Sequence, residues 1–235
     1  MTLETVDLTP LIGTELKTDI ASLVSGEHAA EIIELLEKRG MLVVRGIHMT
    51  PQEQRAFSET LGGVQEQAGA IIQKISIDPD VTFAADYLRG SFFWHIDGST
   101  DVRPNFAATL NAQVLSKSGG TTYFANTYAA YEALPEGDKA VYDKLRVVHS
   151  MEVSQRYINP EPSAEELVMW QQRPPRSHPL VWHHRSGRKS LVLLVEGSAA
   201  AAPRPHRRQS RGSRPPRVPL KVKFSPAFLR SGGPD

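Results

Sequence analysis

The residues best suited to chemistry are His95 and Asp97, which close the run Phe92-Phe93-Trp94-His95-Ile96-Asp97 just before Gly98. In an extended chain, residues i and i+2 project to one face. The imidazole and the carboxylate can therefore converge on one metal ion. One carboxylate with neutral imidazoles suits Fe(II), and a facial set of three protein ligands leaves positions open for a co-substrate and dioxygen. The same triplet also reads as a structural histidine bonded to a nearby aspartate, and it is short enough to recur by chance. The absence of cysteine excludes a disulfide framework, thiol catalysis and Cys-ligated zinc or iron–sulfur sites.

The elements that must position this pair are punctuated clearly up to about residue 193. Ala29, Ile32, Ile33 and Leu36 fall at helical spacing, with Gly40 as the stop. Met41 to Arg45 fits a short buried strand. Thr50-Pro51-Gln52-Glu53 has the form of a capping box with proline at the first helical position, and that helix turns Phe57 and Leu61 inward before ending at Gly62-Gly63. Strands are expected around Ile72, Ile75 and Ile77, and over 92–96, 105–115 and 146–153. Asn126 can cap a helix running to Leu134, and Pro135 separates it from a second helix reaching about Lys144. Ser163 and Glu166 form another capping-box spacing ahead of a helix through Trp170. His178–Trp182 and Lys189–Leu193, on either side of Ser186-Gly187, predict a hairpin. Helices come early and between strands, and strands cluster from the middle onward, so the expected class is α+β: an antiparallel sheet core under helical cover.

With 235 residues the chain has room for one sizeable core. No apolar run approaches the roughly 18–20 residues that span a bilayer. The start, MTLETVDLTP, lacks the basic and apolar stretches of a secretory signal, so a soluble cytoplasmic protein with no membrane partner is expected. The formal charge of +1 hides a break. Residues 194–235 hold nine of the 27 basic residues and two of the 26 acids, a balance of +7, leaving −6 on residues 1–193. Residues 198–217 contain six arginines and four prolines with no acid and no large apolar side chain, which cannot bury a core. The expected organisation is one domain over 1–193 and a disordered basic tail over 194–235.

Several ordered segments resemble the TauD/TfdA family of Fe(II)- and 2-oxoglutarate-dependent dioxygenases. They are Trp94 to Ser99; Leu115 to Thr127 with its Gly119-Gly120-Thr121-Thr122; Ala129-Ala130-Tyr131; Gly46 to Gly62; His178-Pro179-Leu180-Val181; and Ser186 to Leu191. The resemblance covers roughly residues 8–193. It implies a distorted double-stranded β-helix, or jelly roll, with flanking helices. It also implies His95 and Asp97 as two iron ligands and Thr122 as a hydroxyl donor to 2-oxoglutarate, a sensible partner for a carboxylate. The implied reaction hydroxylates a small organic acid or sulfonate, with release of succinate and carbon dioxide. Val148-His149-Ser150 followed by Val153-Ser154-Gln155 resembles the aryloxyalkanoate branch. Trp94 and Tyr123 read as packing residues.

The family's third ligand, a histidine, and its 2-oxoglutarate-binding arginine have no counterpart in a matching context. His206 lies in Pro-Arg-Pro-His-Arg-Arg, where surrounding positive charge disfavours a cation. His178, His183 and His184 are expected to pack or face solvent, and His149 to take a core or substrate-facing role. The abrupt change of texture is expected from a shift of reading frame near 193–197, ahead of a truncation with a recruited basic extension; either leaves the jelly roll incomplete with open edges. Two other readings stand beside the enzyme: a non-catalytic jelly roll holding a metal or small ligand through His95 and Asp97, and nucleic-acid binding through the tail. The tail lacks interleaved aromatics and the body is acidic, which argues against the last.

Overall fold

Helical periodicity at Ala29, Ile32, Ile33 and Leu36 becomes a helix that stops where the glycine allows it. A computed structural model of the chain describes residues 3–65, 71–82, 85–192 and 199–201. The described residues fall into two compact units, one made of residues to 73 with 108–126, the other of 74–107 with the chain from 127 onward.

In the first unit, β1 (Glu4–Asp7) and β2 (Thr14–Lys17) form an antiparallel hairpin, and β3 (Leu42–Val43) runs parallel to β2. Helix α1 (Ile20–Ser25) is capped by the Asp19 carboxylate, and α2 (Ala29–Arg39) ends at Gly40, whose φ of +72° is left-handed. Helix α3 (Pro51–Leu61) carries the complete Thr50–Glu53 capping box, worth about 1 kcal/mol at its N-cap. The core gathers Leu3, Leu16, Leu23, Ile32 and Met49, with Phe57 and Leu61 packed against it. Each buried aliphatic side chain contributes about 1.5–3 kcal/mol. Arg39 is buried at the end of α2. Its guanidinium donates to Thr14 Oγ1 (3.0 Å) and the Gly13 carbonyl (3.1 Å) and lies 3.2 Å from Asp7 Oδ1.

The second unit holds α4 (Ala85–Leu88), a 3-10 turn (Arg89–Phe92), α5 (Thr127–Glu132), α6 (Glu136–Tyr142), β4 (Arg146–His149), α7 (Met151–Gln155) and α8 (Ala164–Gln171). It continues with β5 (Arg176–Pro179), β6 (Val181–His183), β7 (Lys189–Leu191) and β8 (Ala199–Ala201). Strand β4 lies between β5 and β8, antiparallel to both, while β6 and β7 form the hairpin expected around Ser186-Gly187. The stretch 178–182 is not one strand. Leu180, fully buried, leaves β5 and enters β6; its amide donates to Leu145 O, and its carbonyl accepts from Val192 N. Tyr131, Val181 and Leu191 form a core under α5 and the hairpin.

Other expectations need correction. No strand forms near Ile72, Ile75 and Ile77, over 92–96, or over 105–115. A strand needs a neighbour to accept its main-chain bonds, and no described segment pairs with these. Over 108–115 the pattern is nonetheless two-fold. Thr109 bonds Ser58 Oγ (2.9 Å), and Asn111 and Gln113 donate to Met49 O (2.7 and 3.3 Å). Leu110 and Val114 point outward, 69% and 91% exposed. The strand expected over 146–153 stops at His149, because Ser150 accepts from Val153 N and starts α7. Helix α5 does start directly after Asn126, whose side-chain amide donates to Leu11 O. Of the tail after 193, only Ala199–Ala201 are described, paired with β4; His206 and the rest lie outside the described residues. Among the described residues no helix is long and apolar enough to cross a membrane.

Candidate metal centre

The pair singled out in the sequence sits where a 3-10 turn gives way to extended chain and then to a glycine turn. Phe93, at φ −102° and ψ 153°, starts the extended stretch. Although no neighbour makes it a strand, the side chains alternate: Trp94 and Ile96 are half-buried, His95 and Asp97 exposed. His95 and Asp97 therefore share a face without a sheet. Gly98, at φ +70°, turns the chain directly after Asp97. A Cβ there would stand 3.1 Å from Asp101 Oδ2 and 3.3 Å from the Asn105 amide, so the position admits only glycine without strain. The turn closes with bonds from Ser99 N to Ile96 O (3.3 Å) and from Asp101 N to Gly98 O (2.9 Å).

His95 Nδ1 lies 2.7 Å from the Phe93 carbonyl. A carbonyl only accepts, so Nδ1 carries a proton, and in the neutral ring Nε2 keeps its lone pair. Nε2 is 3.4 Å from Asp97 Oδ1. Two donors bound at about 2.1 Å to one ion, at roughly a right angle, stand about 3 Å apart. The pair is thus close to the spacing of two adjacent ligands, and the Phe93 carbonyl fixes the ring as an outer partner does in metal sites. When the ring is protonated instead, Nε2–H donates to Asp97, and this bond, opposed by burial and aided by the Phe93 carbonyl, raises the His95 pKa. The same bond holds the Asp97 carboxyl below its ordinary range. Imidazole plus carboxylate is a donor set suited to Fe(II). Among the described residues no group of three or more His, Cys, Asp or Glu comes together as a site that could hold a metal ion.

Thr122 is exposed and belongs to the first unit, following Gly119 and Gly120, both left-handed at φ +72° and +71°. His95 and Asp97 belong to the second. Tyr123, expected to pack, is 50% exposed, since the segment that carries it is paired with no described strand.

The remaining histidines divide sharply. His183 is exposed, and His184 Nε2 bonds Ser190 Oγ at 2.7 Å. His149 is fully buried with no hydrogen-bond partner for either ring nitrogen. Burial, with His178 adding to it, pushes its pKa down to about 4, so it is neutral at physiological pH. His178 stands edge-on to His149 at 5.3 Å and bonds the Ser99 carbonyl through Nε2 at 2.9 Å. Sequence reasoning missed that bond, which spans 79 residues, and nothing local signals it.

The chain was compared with known proteins. The family model described as taurine catabolism dioxygenase TauD, TfdA family matches residues 4–215. The chain is similar to the (S)-phenoxypropionate/alpha-ketoglutarate-dioxygenase of Sphingobium herbicidovorans, 29% identical over 65% of this chain and 57% of the relative. It is also similar to the alpha-ketoglutarate-dependent 2,4-dichlorophenoxyacetate dioxygenase of a Burkholderia species, 31% identical over 69% of this chain and 61% of the relative. The chain therefore spans about three fifths of the length of these relatives. Among solved structures, AAD-2 in complex with Mn(II) and N-oxalylglycine superposes with a TM-score of 0.66 at 26% identity, covering 82% of this chain and 69% of that one. A family match that takes in nearly every described residue, the His95–Asp97 pair among them, makes this chain a member of the TauD/TfdA family.

Proposed function

We propose that this chain is an Fe(II)- and 2-oxoglutarate-dependent dioxygenase that hydroxylates a small organic acid or sulfonate. Residues 1–193 supply the larger part of a distorted jelly roll with flanking helices, incomplete toward its C-terminus, and 194–235 are a basic tail. The observation that carries the reading is the 3.4 Å approach of His95 Nε2 to Asp97 Oδ1, with Nδ1 committed to Phe93. The relatives' names support the reaction class and its substrates: alpha-ketoglutarate with phenoxypropionate or 2,4-dichlorophenoxyacetate.

In this reading His95 and Asp97 hold Fe(II), and the Thr122 hydroxyl donates to a carboxylate of 2-oxoglutarate. The bound ion would activate dioxygen, which is the oxidant: one oxygen atom would go to 2-oxoglutarate, giving succinate and carbon dioxide, and the other to the hydroxylated substrate. The protein's own work is orientation. Phe93 keeps the His95 proton on Nδ1, so that Nε2 is the donor atom. Gly98 ends the extended stretch so that Asp97 presents its carboxylate beside that atom. A small anionic substrate and dioxygen are the partners.

The test is an anaerobic titration of the full chain with Fe(II) and 2-oxoglutarate, following the visible charge-transfer band of the chelate. A saturable band that Thr122→Val weakens supports the proposal. One observation favours a second reading, a non-catalytic metal-binding or remnant protein: no third ligand joins the pair among the described residues. Metal binding without any chelate band would select it.

A further inference from the structure

The His95–Asp97 pair is fixed on one side by its own backbone, through Phe93 and Gly98. What holds the other side comes from far along the chain. Strand β5 places His178 in register with Val147 of β4, so its ring lies against the neighbouring His149 at 5.3 Å, and Trp182 meets it edge-on at 5.7 Å. Two rings thus restrict where the imidazole can point. Its Nε2 reaches the carbonyl of Ser99, two residues beyond Asp97, at 2.9 Å. Because the carbonyl only accepts, Nε2–H is the donor. The bond is partly buried, where it is stronger than one open to water.

We propose that His178 is a positioning residue for the metal pair: it clasps the Ser99 carbonyl to β5 and so sets the turn that carries Asp97 against His95. The inference rests on the metal-binding reading above. The turn gains from such a clasp because only one of its two internal bonds, the one from Ser99 N to Ile96 O, spans Asp97. Ser99 N to Ile96 O is a long bond at 3.3 Å, and a left-handed glycine follows Asp97 directly. A small rotation there would swing the carboxylate off the Nε2 atom, whereas a bond to a sheet strand resists it. His149 completes the device from below. Fully buried and without polar partners, it is a flat wall for His178 and competes for no hydrogen bond. The contacts of His178 run to Ser99, His149 and Trp182, so in this proposal it acts on the ion through Ser99.

The experiment is an anaerobic titration with Fe(II) alone, read by tryptophan fluorescence, on the wild type, His178→Phe and His178→Gln. The phenyl ring keeps the packing and loses the donor; the glutamine amide keeps a donor at similar reach. Removing an outer partner of a metal site costs about 10–100-fold in affinity. His178→Phe is expected to show that loss, and His178→Gln to stay near the wild type. Unchanged affinity in the Phe variant, or equal loss in both, overturns the proposal. Circular dichroism checks folding, and His178→Leu replaces the Phe variant if that one does not fold. Amide hydrogen exchange over 96–101 in the metal-free proteins gives a reading independent of the ion. Faster exchange in the Phe variant alone supports the clasp, and equal exchange overturns it. A wild type that binds no Fe(II) while the exchange result holds would sink the metal reading and leave the clasp standing.

Discussion

Lowering the pH from about 7 to 5 protonates an unfolded histidine, whose pKa is near 6.5, but leaves His149 neutral in the fold, where its pKa is about 4. The cause is structural: the ring is fully buried, neither nitrogen has a partner, and His178 stands beside it. Since the unfolded chain binds the extra proton, stability rises with pH through this window and falls as pH drops from about 6.5 toward 4, levelling off below. The two titrations differ enough that the loss reaches about 2 kcal/mol at pH 5. The perturbation that isolates it is His149→Leu, which replaces the ring by an apolar group and removes two orphaned polar atoms. Near pH 7 the variant should match the wild type to within about 1 kcal/mol, because unpaired buried nitrogens contribute no bond to lose. Urea unfolding at about pH 7 and pH 5, followed by circular dichroism, gives the four stabilities. Carboxylates distant from the ring titrate alike in both proteins, so the difference of differences reports His149 together with its coupling to His178. The wild type should lose about 2 kcal/mol more than the variant. Parallel losses would refute the argument, and would mean that water or a polar partner reaches the ring.

Three further outcomes follow from named contacts. Gly98→Ala forces a side chain into a left-handed turn at φ +70° and against Asp101 Oδ2; it should cost about 1–2 kcal/mol in urea unfolding and weaken Fe(II) binding along with it. Arg39→Met removes the guanidinium from the Thr14 hydroxyl and the Gly13 carbonyl, which keep Asp7 and Leu8 N as partners, and leaves Asp7 without its cation. Asp7 is exposed and the lost contacts are hydrogen bonds, so a loss of about 1–3 kcal/mol is expected, and under about 0.5 kcal/mol would mean that water replaces the guanidinium. Thr50→Ala removes the N-cap bond to Glu53 N and should cost about 1 kcal/mol by the same assay.

What the sequence disclosed is what local physics decides. Thr50 with Glu53 and Ser163 with Glu166 close their boxes within one helical turn, and Gly40 ends α2 through its own backbone freedom, so all three are legible from a few neighbours. The His95–Asp97 face was legible for the same reason, since alternation needs only an extended chain. Strands over 92–96 and 105–115 were not, because apolar alternation states a preference while pairing depends on distant chain. Thr109, Asn111 and Gln113 show the split: two-fold in side-chain direction, unpaired in backbone. Ser150 cuts β4 short by capping α7, a local signal that lies within a turn of the strand it ends. The bond from His178 to Ser99 and the division of 178–182 at Leu180 arise from tertiary packing and leave no trace in spacing.

The most direct test of the central claim is anaerobic Fe(II) binding by the wild type, His95→Ala and Asp97→Ala, measured by equilibrium dialysis beside a check of folding. The account predicts one ion per wild-type chain and loss of that ion in both variants while the fold persists. Stoichiometric binding that survives either substitution would contradict it, since the ion would then be held elsewhere.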